Sequence, residues 1–297
     1  MRWLARRPAP PVLSGSRAHD AAVLRALRGR PVVCADQTVE GVHFAPDAAP
    51  AAVGQKAAGR ALSDLAATAA RPHALVLGIS APETTEEHWL RRAISAVDRT
   101  ARAHGAALVG GDLACAPGRR VLSVSALGQF ASRRRPPGRD RARPGQLVLL
   151  TGPVGGSSLG RHLCPRPRLA QGSWLHAHGA TALIDVSDGL ARDLERVARA
   201  SGVRIDLDEI PVHAHARRLA RHSGRSAREH ALGDGEDHEL LATLAPAAWG
   251  RLAARARARF PGLCAVGRVR RGRGLWIAGE DGAYSPWDGR GGWVHGT

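Results

Sequence analysis

Apolar runs that stop at acidic or glycine-bearing turns recur along this chain and alternate with stretches of helical spacing. Residues 31–36, 74–79, 106–109 and 121–130 form a first set of such runs. Residues 147–151, 182–186, 203–207, 240–244 and 264–269 form a second. Their lengths suit strands, and the glycines and aspartates beside them suit the turns that end strands. Helices are expected at the Ala-rich residues 51–70 and at residues 84–104, behind the acidic run Thr84-Thr85-Glu86-Glu87. Others are expected after Ser187-Asp188-Gly189 as far as Ala200, and at residues 247–259. Strands mixed with helices in both halves imply two α/β or α+β domains. Between the halves lies ASRRRPPGRDRARPGQ (131–146), rich in proline and arginine and poor in apolar residues. The boundary is set there, giving domains 1–138 and 139–297.

The chain is long enough for a sizeable core at 297 residues, and 44% of it is hydrophobic. Its formal net charge of +17 invites a nucleic-acid partner. Yet Lys56 is the single lysine among 43 Lys plus Arg, and arginine is spread over turns and helix surfaces alike. That pattern is a base-composition bias rather than a binding face, so no nucleic-acid partner is expected. Cys34, Cys115, Cys164 and Cys264 form no CxxC pair, which argues against a zinc knuckle or dithiol site. The N-terminal stretch has charges but no apolar core of a signal peptide, and no run reaches the ~20 residues of a membrane span. A cytoplasmic protein with reduced thiols is expected.

Asp36, Asp112, Asp185 and Asp188 are expected at or just past strand ends. Asp64 falls in a helical pattern, and Asp20 precedes a short apolar run. Strand-end carboxylates converge where α/β folds place their sites. Several carboxylates without a His/Cys cluster favour a hard cation such as Mg²⁺, which takes oxygen ligands and shares substrate phosphates. Taken singly, each Asp suits a turn or a helix cap equally well. The glycine-rich stretch 152–158 either presents backbone N–H groups to phosphate or is a flexible turn. No GxxxxGK[ST] occurs, which excludes a P-loop enzyme.

Five strings occur in order: DQTVEGVHF (36–44), ALSDLAA (61–67), GGD (110–112), IDVSDGL (184–190) and GEDHEL (235–240). Together they resemble the thiamine-monophosphate kinases, a family of the aminoimidazole-ribonucleotide synthetase superfamily. The likeness runs from about Asp20 to His295. The resemblance implies two α/β domains, a homodimer formed through the N-terminal domain, and ATP in a cleft near the Asp cluster. It also implies in-line phosphoryl transfer from ATP to thiamine phosphate with several Mg²⁺ ions, a reaction that needs positioning and charge neutralisation above all.

Motif by motif, the resemblance makes Asp20, Cys34, Ala35, Asp36, Asp64, Asp112, Asp185 and Asp188 the metal side. Gly111, Asp112, Arg139 and Ser187 fall on the ATP side, and His43, Glu236 and Trp293 on the thiamine-phosphate side. Lys56 matches a family lysine in the helix before Asp64. The chain departs from the pattern at several places. Ala18-His19-Asp20 stands for Gly-Asp-Asp, and Cys34-Ala35 for hydroxyl residues. Asp234 stands for a glycine, residues 160–162 replace a longer helical segment, and the Gly292-Trp293-Val294-His295 ending lacks an aspartate. The alternative reading is a weakened or inactive relative that binds nucleotide or thiamine phosphate, or another ATP-using synthetase of the superfamily.

Overall fold

The computed structural model describes residues 12–14 and 21–292. Two units pack separately. One holds residues up to Leu65, Ala70–Ala131 and Leu163–Pro165; the other holds Ala66–Ala69, Ser132–His162 and the chain from Arg166 on. The second long stretch of unit 1 ends at Ala131, where the proline- and arginine-rich connection 131–146 begins.

In unit 1, β1 (Val12–Ser14) and β2 (Val23–Leu24) pair antiparallel. A four-stranded sheet follows, built from β3 (Arg30–Val39), β4 (Arg71–Ala81), β5 (Ala107–Cys115) and β6 (Val121–Phe130) in the order β3-β6-β4-β5. Two helices accompany it, α1 (Pro50–Ala67) and α2 (Glu87–Ala103). The strands alternate as one-sided sheets do. Leu75, Leu77, Leu122, Val124 and Ala126 are buried on one face, while Val33, Ala35, Val76 and Ser125 lie toward the other, open face. Helix α2 buries Ala93, Ile94, Val97 and Ala101, an i, i+1, i+4, i+8 stripe. It begins at Glu87 rather than Thr84, because Thr85 N–H closes a turn on the Pro82 carbonyl at 2.9 Å.

Two expectations about strand ends are corrected. Asp36 lies inside β3 and Asp112 inside β5, whereas Asp185 and Asp188 do sit at and just past a strand end. The string Gly110-Gly111-Asp112 is not a turn, because β4 offers β5 a continuing parallel ladder as far as Cys115. A Cβ on Gly111 would stand 2.0 Å from the Leu77 carbonyl oxygen, so glycine is needed for that close approach.

Unit 2 is a seven-stranded sheet: β7 (Leu147–Leu150), β8 (Leu183–Asp185), β9 (Arg204–Leu207), β10 (Leu240–Leu244), β11 (Cys264–Arg270), β12 (Gly274–Ala278) and β13 (Tyr284–Pro286). The order is β13-β12-β9-β11-β7-β10-β8. Its helices are α3 (Leu169–Ala177), α4 (Leu190–Ser201), α5 (Ala214–Leu219), α6 (Ala227–Gly233) and α7 (Pro246–Arg259). Cores fill both faces: Val148 and Leu150 join Leu190, Leu194 and Val197 of α4, while Leu147 and Leu149 join Trp174, Leu175 and Trp249. Strands buried on both sides read as near-continuous apolar runs, as β7 does and as β10 does apart from the buried Thr243. Among the described residues no helix is long and apolar enough to cross a membrane.

Candidate functional site

The first constellation grows from the end of β3. Beyond Val39 the chain turns tightly: Val42 N–H and His43 N–H donate to the Val39 carbonyl at 3.2 and 2.8 Å, and Gly41 takes a φ of 73°. Val39 N–H in turn donates to His43 Nδ1 at 3.0 Å. Lys56 of α1, fully buried, reaches the His43 carbonyl at 2.5 Å. Glu40 is held by the Arg120 guanidinium at 2.6 Å, and that bond lowers its carboxyl from the ordinary range. Phe44 closes the turn as a buried side chain stacked 6.5 Å from Trp89.

On the helix-covered face of the same sheet, Cys34, Asp36 and Asp64 come together. The Cys34 thiol donates to the Ala61 carbonyl of α1 at 3.3 Å. Burial pushes it up to about 12, with the Asp64 and Asp36 charges adding to the effect, so it stays protonated at neutral pH. Asp36 is gripped by the fork of Arg60, at 2.8 and 3.2 Å. Asp112 is elsewhere. The ladder aligns it with Gly78, Ser123 and Gln37 on the open face, whereas Asp36 aligns with Val124, Leu77 and Gly111 on the covered face. Ala35 also faces the open side, paired with Ser125.

The second constellation, in unit 2, gathers at the C-terminal end of β8. Asp185 is the last residue of β8 and meets His238 Nδ1 at 3.3 Å. Ser187 and Asp188 form the turn into α4, and both of their N–H groups donate to Asp193 Oδ2 at 3.0 Å. Arg196 then bridges Asp193, at 2.8 Å, and Asp188. Burial raises the Asp193 carboxyl to about 7, against the pull of those N–H groups and of Arg196. Glu236 joins this turn through its own N–H, 2.7 Å from the Ser187 carbonyl. Glu236 and His238 both adopt left-handed φ, 51° and 52°, a strained conformation for residues with side chains.

Buried anchors fix that strained segment. Asp237 accepts from Gly155 N–H at 2.9 Å and from Arg161 at 2.6 Å, and Glu239 accepts from Thr151 Oγ1 at 2.6 Å and Arg168 Nε at 2.9 Å. Asp234 accepts from Gly156 N–H at 2.8 Å, and Ser157 Oγ donates to the Gly235 carbonyl at 2.7 Å. Gly235 itself has a φ of 72°, and a Cβ there would stand 2.7 Å from the Ser187 carbonyl oxygen. In the glycine-rich stretch 152–158, the Gly155 and Gly156 N–H groups are thus taken up by the protein's own carboxylates.

Sequence reasoning passed over Asp193, Arg196, Arg161, Asp237, Arg168 and Glu239. Asp193 left one signal, an acidic residue in the first turn of a helix. Asp237 and Glu239 lay inside the GEDHEL string, but their partners are 76 and 71 residues away and no spacing rule connects them. The Arg139 carbonyl accepts from Ser201 Oγ at the far end of α4, about 17 Å of helix from Ser187. Asp20 and Trp293 lie outside the described residues. The last described residues, Gly291 and Gly292, lie beside the second constellation: Arg192 donates to the Gly291 carbonyl at 3.0 Å and Gly292 N–H to that of Gly233 at 3.1 Å.

Among the described residues, no three His, Cys, Asp or Glu side chains form a group able to hold a metal ion unaided. The first constellation offers Asp36 and Asp64, and the second Asp185 and Asp188 beside the Asp193 clamp, oxygen donors that suit a hard cation completed by phosphate and water oxygens. The protonated Cys34 thiol does not suit such a cation.

Comparison with known proteins adds three findings. The family model AIR synthase related protein, N-terminal domain, matches residues 18–130. A thiamine-monophosphate kinase of Mycobacterium tuberculosis (strain ATCC 25618 / H37Rv) is 36% identical over 253 residues, covering 77% of this chain and 75% of that protein. Among solved structures, thiamine-monophosphate kinase from Stenotrophomonas maltophilia K279a superposes with a TM-score of 0.81 at 32% identity, covering 95% of this chain and 94% of that one. The structure of AaThiL complexed with AMPPCP and TMP superposes with a TM-score of 0.79 at 27% identity, covering 92% and 89%.

Proposed function

The chain belongs to the thiamine-monophosphate kinase family of enzymes, and from that premise we propose that it transfers the γ-phosphoryl group of ATP to thiamine phosphate, giving ADP and thiamine diphosphate. The observation that carries the proposal is the likeness, over 92% of the chain, to a relative complexed with AMPPCP, an ATP analogue, and TMP. The two built constellations support it. Phosphoryl transfer asks a protein for positioning and for groups that manage negative charge, with little covalent participation.

Mg²⁺, when bound, neutralises the phosphate oxygens between which the group moves. Asp36, Asp64 and Asp112 of unit 1 and Asp185 and Asp188 of unit 2, with Asp20, are the oxygen donors proposed for the several Mg²⁺ ions, Asp36 and Asp112 for separate ions because they stand on opposite faces of their sheet; Cys34 is left out of that set by its protonated thiol. Gly111, Asp112, Arg139 and Ser187 are assigned to ATP, and the Asp193 clamp on the Ser187–Asp188 turn supports a fixed geometry there. His43, Glu236 and Trp293 are assigned to thiamine phosphate. The Nδ1 of His43 accepts a backbone N–H, so the neutral ring carries its proton on Nε2 and acts there as a donor. Glu236 is held by its backbone, which leaves its position independent of substrate.

A homodimer through unit 1 belongs to the same proposal. Val33, 75% exposed, and Val76 stand on the open face of a sheet whose other face buries Leu75, Leu77, Leu122 and Val124. A cytoplasmic location also belongs to it.

The deciding experiment incubates purified protein with thiamine phosphate, ATP and Mg²⁺ and assays thiamine diphosphate. Product that forms with Mg²⁺ and disappears in excess chelator is expected. Folded protein that binds either substrate without turnover would overturn the proposal in favour of a binding protein.

A further inference from the structure

Of the 43 lysines and arginines all but one are arginine, and the exception is inside the protein. Lys56 has no exposed surface, in a stretch of α1 where Val53, Ala57 and Ala58 are equally buried. Burying an ammonium is costly unless its donors find acceptors. One acceptor is the His43 carbonyl, 2.5 Å from Nζ. Arginine cannot take this place on equal terms. Its planar guanidinium carries five donors in a rigid fork, where lysine offers a compact head on a flexible stem. Among small, fully buried neighbours the fork would need more room and more acceptors. The one lysine of the chain therefore stands where a guanidinium fits worst.

The acceptor's identity gives the contact its meaning. His43 is fixed at three points. Its N–H donates to the Val39 carbonyl at 2.8 Å, its ring Nδ1 accepts the Val39 N–H at 3.0 Å, and its own carbonyl accepts from Lys56. The first two bonds lie within the turn itself. The third ties the turn to α1, beside the Glu40–Arg120 ion pair and the Phe44–Trp89 stack that tie it to other parts of unit 1, and it does so at His43 itself.

We infer that Lys56 is a positioning residue for substrate: it holds the residue 39–43 turn against α1 so that His43 Nε2–H is offered to the phosphate of thiamine phosphate. The inference rests on the proposed role of His43 on the thiamine-phosphate side.

A single lysine makes the test clean. Protein grown with ¹³C,¹⁵N-lysine gives one lysine side-chain signal, which can be followed during titration with thiamine phosphate and, separately, with ATP. Saturating thiamine phosphate is expected to shift that signal, and ATP alone to leave it in place. In parallel, Lys56→Met removes the donor and keeps an unbranched chain. Its KM for thiamine phosphate should rise about tenfold, the scale of one charged hydrogen bond, with KM for ATP little changed. A purely structural lysine would change stability, or both KM values together.

A signal unmoved by bound thiamine phosphate overturns the inference, and so does an equal rise in both KM values. If Lys56→Met does not fold, the wild-type signal decides alone. Calorimetry on wild type separates the two levels. No heat with thiamine phosphate sinks the functional proposal, and this inference with it. Binding without a lysine shift sinks only the role of Lys56.

Discussion

Asp237 holds its proton to a higher pH than an ordinary aspartate, because burial pushes it up to about 6 against the pull of Arg161 and the Gly155 N–H. Below about pH 4 both folded and unfolded chains carry that proton, and the group leaves stability unchanged. Between about pH 4 and 6 the unfolded chain releases it while the folded chain keeps it, so stability falls as pH rises, by about 3 kcal/mol over two pH units. Asp237→Asn, which keeps the acceptor for Gly155 N–H and cannot ionise, should lack that slope. Urea unfolding of both proteins from pH 4 to 7 checks it, and parallel curves would refute it. Cys34 yields a second expectation. Cys34→Ser puts a hard oxygen next to Asp36 and Asp64 where a protonated thiol now stands, and should lower the Mg²⁺ needed for half-maximal rate. A Mg²⁺ titration of initial rate at fixed ATP tests this; an unchanged or higher requirement would detach residue 34 from the metal. At this scale the sequence was legible where a motif is local. The His43 turn and the Asp185–Asp188 turn were each marked by one short string. Arg161 with Asp237, and Arg60 with Asp36, were illegible because each pair is assembled by the fold from sites 76 and 24 residues apart.

Elements were legible where their burial leaves a clear pattern. Strands β6 and β10 fall on the expected residues, since a largely alternating pattern in one and a run of leucine and alanine broken only by Thr243 in the other leave few alternatives. β3 and β5 outrun their expected ends, because a polar or glycine residue can stay in a strand when a neighbouring strand continues to offer hydrogen bonds. β12 and β13 gave no signal, both being short, β12 preceded by glycine-rich turn residues and β13 exposed throughout. The glycines of β5 offer a controlled test. Gly111→Ala forces a methyl against the Leu77 carbonyl and should destabilise the protein by about 1–3 kcal/mol through overpacking. Gly110→Ala, next to it, meets nothing within 4 Å and should be close to neutral. Thermal unfolding of the two variants compares them directly, and equal melting temperatures would show that β5 does not approach β4 as described.

The molecule as a whole carries its charge on arginine, and that bias hides rather than marks its surfaces. The open face of the unit 1 sheet was not legible in composition; it emerges only when the register shows Val33, Ala35 and Val76 sharing one side. Val33→Asp should leave the fold intact, because that side chain is already exposed, and should shift a wild-type dimer toward monomer. Sedimentation velocity across a concentration series measures it; a wild-type monomer at all concentrations, or a dimer indifferent to the charge, would remove this face from the assembly. The stretch around Gly155 and Gly156 has a last consequence. Glycine-rich connections ordinarily exchange their amide hydrogens with solvent within seconds, as fraying segments do. Here both amides end on carboxylates of the residue 234–239 segment, some eighty residues further along the chain. Their deuterium uptake should therefore be slow and should accelerate only when residues 234–239 detach as well. The two segments would then behave as one cooperative opening unit, with a single protection factor shared across a stretch that looks, by composition, like a hinge.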